Sequence, residues 1–238
     1  QIAPSAPHAQ HMPSHIFTRL GYWQESIDAN RASVEAAKDE LRRAQLAAGS
    51  YNAPHAMDYI EYGALQPVKD KEAKAVVDEI RGIETIDVEH FVAAFAFAAI
   101  PARYALERRQ WGEAAELTLH PQSLSWQKFP QAESILWFAR GLGAARGGNV
   151  ARAKSDLARL EGLRDSMTAA KNTYWANQAE IQRLAVAGWI ARAEGRNDEA
   201  LALLRQASDK EDATEKHPVT PGAIQPAREM LGELLRSE

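Results

Sequence analysis

The sequence predicts an all-α protein in which about five helix pairs stack in a row as a right-handed superhelix. The composition is the first reason, because 45 alanines stand against 9 valines, a balance that favours closely packed helices. Apolar residues also recur at helical spacing, and no stretch alternates for long at the period of a strand. The third reason is a spacing of small residues that repeats along the chain. We expect residues 1–238 to form one such domain.

Two stretches 47 residues apart carry the same pattern of a large residue, a small pair, a turn glycine and then small and large residues again. They are Trp137, Gly141, Ala144, Gly148, Ala153, Leu157 and Leu160, and then Leu184, Ala187, Gly188, Ala191, Gly195, Ala200, Leu204 and Ala207. Weaker copies comprise Phe17, Gly21, Trp23, Ile27 and Asn30; Ile60, Ala64, Ala73, Val77 and Ile80; and Ala102, Ala105, Trp111 and Ala114. The pattern is typical of a tetratricopeptide repeat.

One small residue of each copy occupies the same predicted place on the second helix. These residues are Ser26, Ala73, Ala114, Ala153 and Ala200, separated by 47, 41, 39 and 47 positions, whereas a standard repeat has about 34 residues. The extra length predicts longer helices and loops. The alternative is an irregular helical bundle, because patterns of alanine, leucine and glycine also arise by chance.

Boundary residues fix where we expect the helices to begin and end. Asp87 is a good N-cap for a helix over 88–109, and Pro101 inside it should kink the helix or remove one hydrogen bond. Segments 147–149 and 195–198 read as tight turns. We expect a loop at 120–130, a rigid extended connection at 217–222 and a last helix over 227–238.

Several classes of protein are excluded by composition and motifs. A net charge of −4 and a pI near 6.0 do not suit a nucleic-acid-binding surface. Without cysteine there is no disulfide, thiolate zinc site or cysteine nucleophile. No apolar run reaches the roughly 20 residues of a membrane helix, and neither a phosphate-binding loop nor a nucleophile elbow occurs. No signal peptide is visible, and we expect the chain to be a piece of a longer protein or a processed form.

The densest group of chemically active residues lies near the start of the chain. His8, His11 and His15 follow the spacing H-x2-H-x3-H, which places three imidazoles on one stripe of a continuous helix. Pro13 either starts a helix there or kinks it. His55 opens the next predicted repeat, so it and Asp58 are expected to approach His15.

Three or four histidines with a carboxylate suit zinc or another divalent ion with a position left open for water. We therefore predict His8, His11, His15 and His55 as candidate metal ligands. The alternative is that they only cap and pack a repeat junction, since their spacing matches no named zinc signature.

A second polar group is predicted on the first helix of the last clear repeat. Tyr174, Trp175, Gln178 and Gln182 share one helix face, and aromatic and amide groups together suit a peptide or small polar ligand. The alternative is a core tryptophan with surface glutamines. The charged run 210–217 reads as a solvated loop.

The last predicted helix carries an apolar stripe for which this chain offers no following repeat. Its residues are Met230, Leu231, Leu234 and Leu235. Because a terminal repeat normally presents a polar face to solvent, we expect the stripe to fold back, to cover the preceding repeat or to pair with a second copy of the chain.

Several segments resemble a group of bacterial tetratricopeptide-repeat proteins whose biochemical role is unassigned. The segment 11–21, HMPSHIFTRLG, matches the group's H-M-P-S-H-I-aromatic-x-R-hydrophobic-G pattern, and segments 99–108, 138–146 and 211–222 are similar to theirs. The resemblance implies an α-solenoid of bacterial origin, in the cytoplasm or the periplasm.

A scaffold that binds a peptide or protein on its concave face is the leading functional prediction, because no strong catalytic motif is present. The alternative is a metal-binding protein or metal-dependent hydrolase that uses the N-terminal histidines. An enzyme is the less favoured class, and no cofactor other than a divalent metal is expected.

Overall fold

The computed structural model describes residues 3 and 5–236, and within them the protein is all-α, with no β-sheet. One isolated parallel bridge joins Gly49 and Ile86. The helices are α1 (Pro7–His11), α2 (Ser14–Leu20), α3 (Trp23–Ala44), α4 (Asn52–Leu65), α5 (Asp70–Arg81), α6 (Phe91–Glu107), α7 (Trp111–Ala115), α8 (Pro130–Arg146), α9 (Val150–Ala169), α10 (Thr173–Ala193), α11 (Asn197–Asp212) and α12 (Ala227–Arg236), with a short 3-10 helix at Trp126–Lys128.

The helices pack in sequential pairs, which confirms the all-α prediction. Helix α2 packs on α3, α4 on α5, α8 on α9 and α10 on α11, while α10 also contacts α8 and α9. The predicted right-handed superhelical winding stays a prediction.

Five turns, one within each predicted helix pair, share one backbone geometry, and the turn between α9 and α10 has it too, since Asn172 donates to the Met167 carbonyl at 2.9 Å and Lys171 has a positive φ. The residue before each second helix donates its amide to the carbonyl five residues earlier: Tyr22 to Phe17, Lys69 to Ala64, Gln110 to Ala105, Asn149 to Ala144 and Arg196 to Ala191, at 2.8–2.9 Å. In each turn the preceding residue has a positive φ: Gly21, Val68, Arg109, Gly148 and Gly195. The five turns within the predicted pairs are separated by 47, 41, 39 and 47 residues, the spacing on which the repeat prediction rests.

The described chain divides into two compact units. The first comprises the described residues up to Tyr104 together with Leu119–Phe129 and His217–Gly222. The second comprises Ala105–Thr118, Pro130–Lys216 and the described residues from Ala223 onward. The first unit holds all four candidate histidine ligands, and the second holds the Tyr174 group.

The helix that contains Pro101 begins later than the sequence predicts. Asp87 is not the N-cap of the helix containing Pro101, because α6 begins four residues later, at Phe91. The Asp87 carboxylate instead accepts hydrogen bonds from the amides of Tyr51 and Val88, both at 2.8 Å. Helix α12 begins where the sequence predicts; Ser237 and Glu238, which the prediction included, lie outside the described residues.

None of the helices in the described part of the chain is long and apolar enough to cross a membrane.

The apolar stripe of α12 is largely covered within its own unit, since Met230, Leu231 and Leu234 are buried and α12 packs on α10 and α11. Leu235 remains exposed. Pairing with a second copy stays a prediction.

The small residues of the repeated pattern lie where helices approach closely. Ser26, Ala73, Ala114, Ala153 and Ala200 are all fully buried. A Cβ built on Gly188 would meet Leu204 Cγ on α11 at 3.0 Å. A Cβ on Gly141 would meet Val186 Cγ1 at 2.9 Å, so Gly141 mainly accommodates α10 rather than the second helix of its own pair.

Replacing Gly188 with leucine is expected to lower the free energy of unfolding by roughly 1–3 kcal/mol, because the added side chain overpacks the contact between α10 and α11. Urea denaturation followed by circular dichroism measures the change. The same substitution at Gly162 is the control, because no described atom lies within 4 Å of a Cβ built there. An unchanged Gly188→Leu transition would argue that the predicted repeat register is wrong.

Candidate metal centre

Three short stretches of chain bring the histidines together in the first unit. His8 and His11 lie on α1, His15 lies on α2 and His55 lies on α4. Pro13 occupies the N-cap position of α2, so α1 and α2 are two separate helices rather than one continuous helix. The rings of His11 and His15 nevertheless remain adjacent, with centroids 4.7 Å apart.

His11, His15 and His55 form a group that could hold a metal ion. Each offers one ring nitrogen, and these nitrogens all lie within 4.8 Å of one another. His11 is buried with 2% of its surface exposed, and the other two are half-buried. The ring centroids of His11 and His55 are 4.4 Å apart.

Asn30 fixes the tautomer of His11. Its amide nitrogen donates to the Ser26 carbonyl at 2.7 Å, which turns the amide oxygen towards the imidazole. His11 Nδ1 lies 2.6 Å from that oxygen and donates to it. Since Nδ1 carries the proton of the neutral ring, Nε2 carries a lone pair.

Tyr59 fixes the tautomer of His15 in the same way. The single hydroxyl proton of Tyr59 is donated to the Pro218 carbonyl at 2.8 Å. His15 Nδ1, 3.0 Å from the hydroxyl oxygen, therefore donates to it. The Nε2 atom of neutral His15 then also carries a lone pair.

The two lone pairs face each other. His11 Nε2 and His15 Nε2 are 3.0 Å apart, the distance of a hydrogen bond, yet the outer hydrogen bonds place both ring protons on the Nδ1 atoms. When both rings are neutral the two facing acceptors repel each other, and either a metal ion or a proton shared between the two nitrogens removes that repulsion. His55 adds a third group, because its buried Nδ1 has no hydrogen-bond partner among the described residues, an arrangement that costs free energy in a folded protein.

Burial favours the neutral imidazoles that bind metals. It lowers the pKa of His11 to about 4, against the opposing effect of the Asn30 hydrogen bond. Burial also lowers the pKa of His55 well below its usual value, and the neighbouring histidines add to the effect. Burial raises the pKa of Tyr59, so its hydroxyl stays a proton donor to Pro218. At neutral pH the ligand nitrogens of His11 and His55 need not lose a proton before a metal binds.

His8 and Asp58 take other positions. His8 is exposed, its ring centroid lies 6.1 Å from that of His11, and it is outside the three-histidine group. Asp58 is fully buried, and its carboxylate accepts a hydrogen bond from Arg103 Nη1 at 2.5 Å. Asp58 is thus engaged by a buried cation.

The ion pair of Asp58 belongs to a buried cluster that joins α4 to α6. Arg103 Nη1 also donates to Glu61 at 2.8 Å, and Arg103 Nη2 donates to the Thr220 hydroxyl at 3.4 Å. Arg103, Asp58 and Glu61 are all fully buried. Because α4 also carries His55 and Tyr59, the cluster holds the helix that supplies one candidate ligand and one orienting hydroxyl.

The second predicted group lies on α10, in the second unit. The Tyr174 hydroxyl donates to the Glu215 carbonyl at 3.1 Å and accepts from Gln178 at 3.3 Å, and the Trp175 ring packs edge-on against Tyr174. Tyr174 and Gln178 therefore already make internal hydrogen bonds. The Gln182 side-chain oxygen is buried without a hydrogen-bond partner among the described residues. Ligand binding by this group stays a prediction.

Two residues that orient the histidines were not predicted as site residues. Asn30 appears in the sequence as one packing position of the first repeat, although it is fully buried and bonded to His11. Tyr59 follows His55 by four residues, the spacing that places two side chains on one face of a helix. That spacing was the available signal, whereas nothing local in the sequence points from Asn30 to His11.

Comparison with known proteins found no matching family model, no matching curated protein and no matching solved structure.

Proposed function

We propose that this protein binds one divalent transition-metal ion of the zinc type through His11, His15 and His55. The observation that carries the proposal is the convergence of one ring nitrogen each from His11, His15 and His55 within 4.8 Å of one another, together with the 3.0 Å approach of His11 Nε2 to His15 Nε2. Metal-bound histidines donate their other ring N–H to a fixed acceptor. Asn30 Oδ1 and the Tyr59 hydroxyl supply such acceptors.

The kind of metal follows from the ligand atoms. Imidazole nitrogen suits zinc, copper, iron and nickel, whereas calcium and magnesium prefer oxygen. Tetrahedral zinc with Zn–N bonds of about 2.0–2.1 Å requires ligand nitrogens about 3.4 Å apart. The observed separations, from 3.0 Å for one pair to at most 4.8 Å within the group, need only small side-chain movements to reach that geometry.

Three protein ligands leave the fourth position of a tetrahedral ion open. An ion held in this way lowers the pKa of a bound water to about 7 and polarises a carbonyl or phosphoryl oxygen. Hydrolysis would also call for a group that takes a proton from that water, and the nearby Asp58 is engaged by Arg103. The proposal is therefore metal binding with an open position, and hydrolysis remains the further alternative.

The test is a zinc titration of protein purified without an affinity tag and stripped of metal. We expect one zinc ion per chain. Replacing His15 or His55 with alanine should weaken binding at least about 100-fold, the upper end of what loss of an outer hydrogen-bond partner costs. The control is His8→Ala, because His8 is exposed and outside the group, and it should bind zinc like the wild type.

Two further measurements separate loss of a ligand from loss of the fold. Circular dichroism shows whether each variant keeps its helices, and the visible absorption of Co2+ reports four-coordinate nitrogen ligation in the folded protein. Tyr59→Phe, which removes the acceptor for His15 Nδ1, should weaken zinc binding about 10- to 100-fold. Substoichiometric zinc in the wild type, or equal zinc affinity in folded His15→Ala, would overturn the proposal.

We also propose that the helix pairs are tetratricopeptide-like repeats that wind as a right-handed superhelix. This proposal is supported by sequential helix pairs, by five turns of one geometry and by the burial of the equivalent small residues. Binding of a peptide by the Tyr174 group would add a second role, in the other unit.

A further inference from the structure

A cavity of about 610 Å³ in the second unit is lined by an unusual concentration of positive charge. Its walls are formed by Arg109, Arg146, Trp189, Arg192, Glu233 and Arg236. Four guanidinium groups and one carboxylate give these side chains a formal charge of +3, in a chain whose net charge is −4.

The central arginine is held rigidly. The Arg146 guanidinium lies 4.0 Å from the ring centroids of both Trp111 and Trp189, so it is bounded by two indoles. Glu233 accepts hydrogen bonds from Arg146 and from Arg109. The same carboxylate thus positions two guanidinium groups at the cavity wall, and little side-chain entropy remains to be lost when a ligand binds.

Two further side chains that line the cavity, Trp189 and Arg236, carry donors for which the described residues supply no acceptor or carboxylate. Trp189 has only 8% of its surface exposed, yet its indole N–H has no hydrogen-bond partner among the described residues. Arg236 is exposed and makes no ion pair with a carboxylate in the described part of the chain. A buried N–H without an acceptor is costly, and this one belongs to a side chain that lines the cavity.

We propose that this cavity binds a phosphate group, either as inorganic phosphate or as a phosphate monoester. A dianion matches the three excess positive charges better than a monovalent carboxylate does. The planar guanidinium fork suits bidentate contacts to phosphate oxygens. The site lies in the second unit and needs no metal, so it is independent of the proposed metal centre.

The experiment titrates metal-free protein with sodium phosphate at pH 7.5, with sodium chloride holding the ionic strength constant. Tryptophan fluorescence reports binding, because Trp111 and Trp189 flank Arg146, and calorimetry gives the stoichiometry. We expect saturable binding of one phosphate per chain. Arg236→Gln and Arg109→Gln should each weaken it about tenfold, as expected for loss of a hydrogen bond to a charged group.

The matched control is Arg43→Gln, which removes the same charge from an exposed position in the first unit and should leave phosphate affinity unchanged. Glucose 6-phosphate in parallel distinguishes a monoester site from a site for the free ion. Acetate at equal ionic strength should not saturate the site. The proposal is overturned if phosphate behaves like chloride, if acetate binds as tightly, or if Arg43→Gln weakens binding as much as folded Arg236→Gln does.

Discussion

Replacing Arg103 with methionine is expected to lower the free energy of unfolding by about 3–5 kcal/mol, the cost of removing one partner from a buried ion pair. Arg103 Nη1 lies 2.5 Å from an Asp58 oxygen and 2.8 Å from a Glu61 oxygen. All three side chains are fully buried. Without the guanidinium, two carboxylates would remain close together away from water, and neither could stay ionised cheaply.

Urea denaturation of the wild type and the variant, followed by circular dichroism, measures this loss. The control is Arg31→Met, which breaks the exposed Arg31–Glu72 ion pair and should cost no more than about 1 kcal/mol. Adding Glu61→Gln to Arg103→Met should restore part of the stability, because one uncompensated charge is removed. An Arg103→Met variant as stable as Arg31→Met would contradict the buried cluster.

Replacing Gly143 with leucine is expected to cost about 3 kcal/mol or more, at or beyond the upper end of typical overpacking. A Cβ at this position of α8 would lie 2.7 Å from two backbone atoms of α7, the Ala115 nitrogen and the Trp111 oxygen. The backbone atoms of α7 cannot move away from the added side chain as a flexible side chain could. The cost should therefore exceed that of Gly188→Leu, whose nearest obstacle is the Leu204 side chain.

Gly162→Leu on α9 again provides the control. The position is exposed, and no described atom lies within 4 Å of an added Cβ, so the variant should gain up to about 1 kcal/mol because leucine is a better helix former than glycine. Thermal and urea unfolding of both variants give changes of opposite sign. Equal effects of the two substitutions would show that α7 and α8 are not in close contact at Gly143.

Much of the local structure was predictable because residues that pack between helices recur at helical spacing in the sequence. The five equivalent small residues from Ser26 to Ala200 are all fully buried, as closely packed helices require. The turn glycines Gly148 and Gly195 have the positive φ angles that favour glycine. Val68 and Arg109 adopt a similar φ without being glycine, so glycine alone could not locate all five turns.

Other local signals were misleading because tertiary contacts competed for the same groups. Asp87 looks like a helix cap, yet its carboxylate binds the Tyr51 amide, and α6 begins at Phe91. Asp58 looks like a partner for the histidines, yet Arg103 occupies its carboxylate. In both cases the residue that binds the carboxylate is distant in the sequence, so no local sequence pattern predicts the contact.

The sequence by itself determined that the protein is helical, that its small residues lie between helices and that histidines concentrate near its start. Only the tertiary structure decided which three of the four predicted histidines converge and which acceptors the Nδ1 atoms of His11 and His15 meet. The reason is that the hydrogen bonds that set the tautomers join distant residues: His11 to Asn30, 19 residues away, His15 to Tyr59, 44 away, and Tyr59 to Pro218, 159 away. Helical periodicity depends only on residues that are a few positions apart in the sequence. The direction of a lone pair depends on groups that only folding brings together.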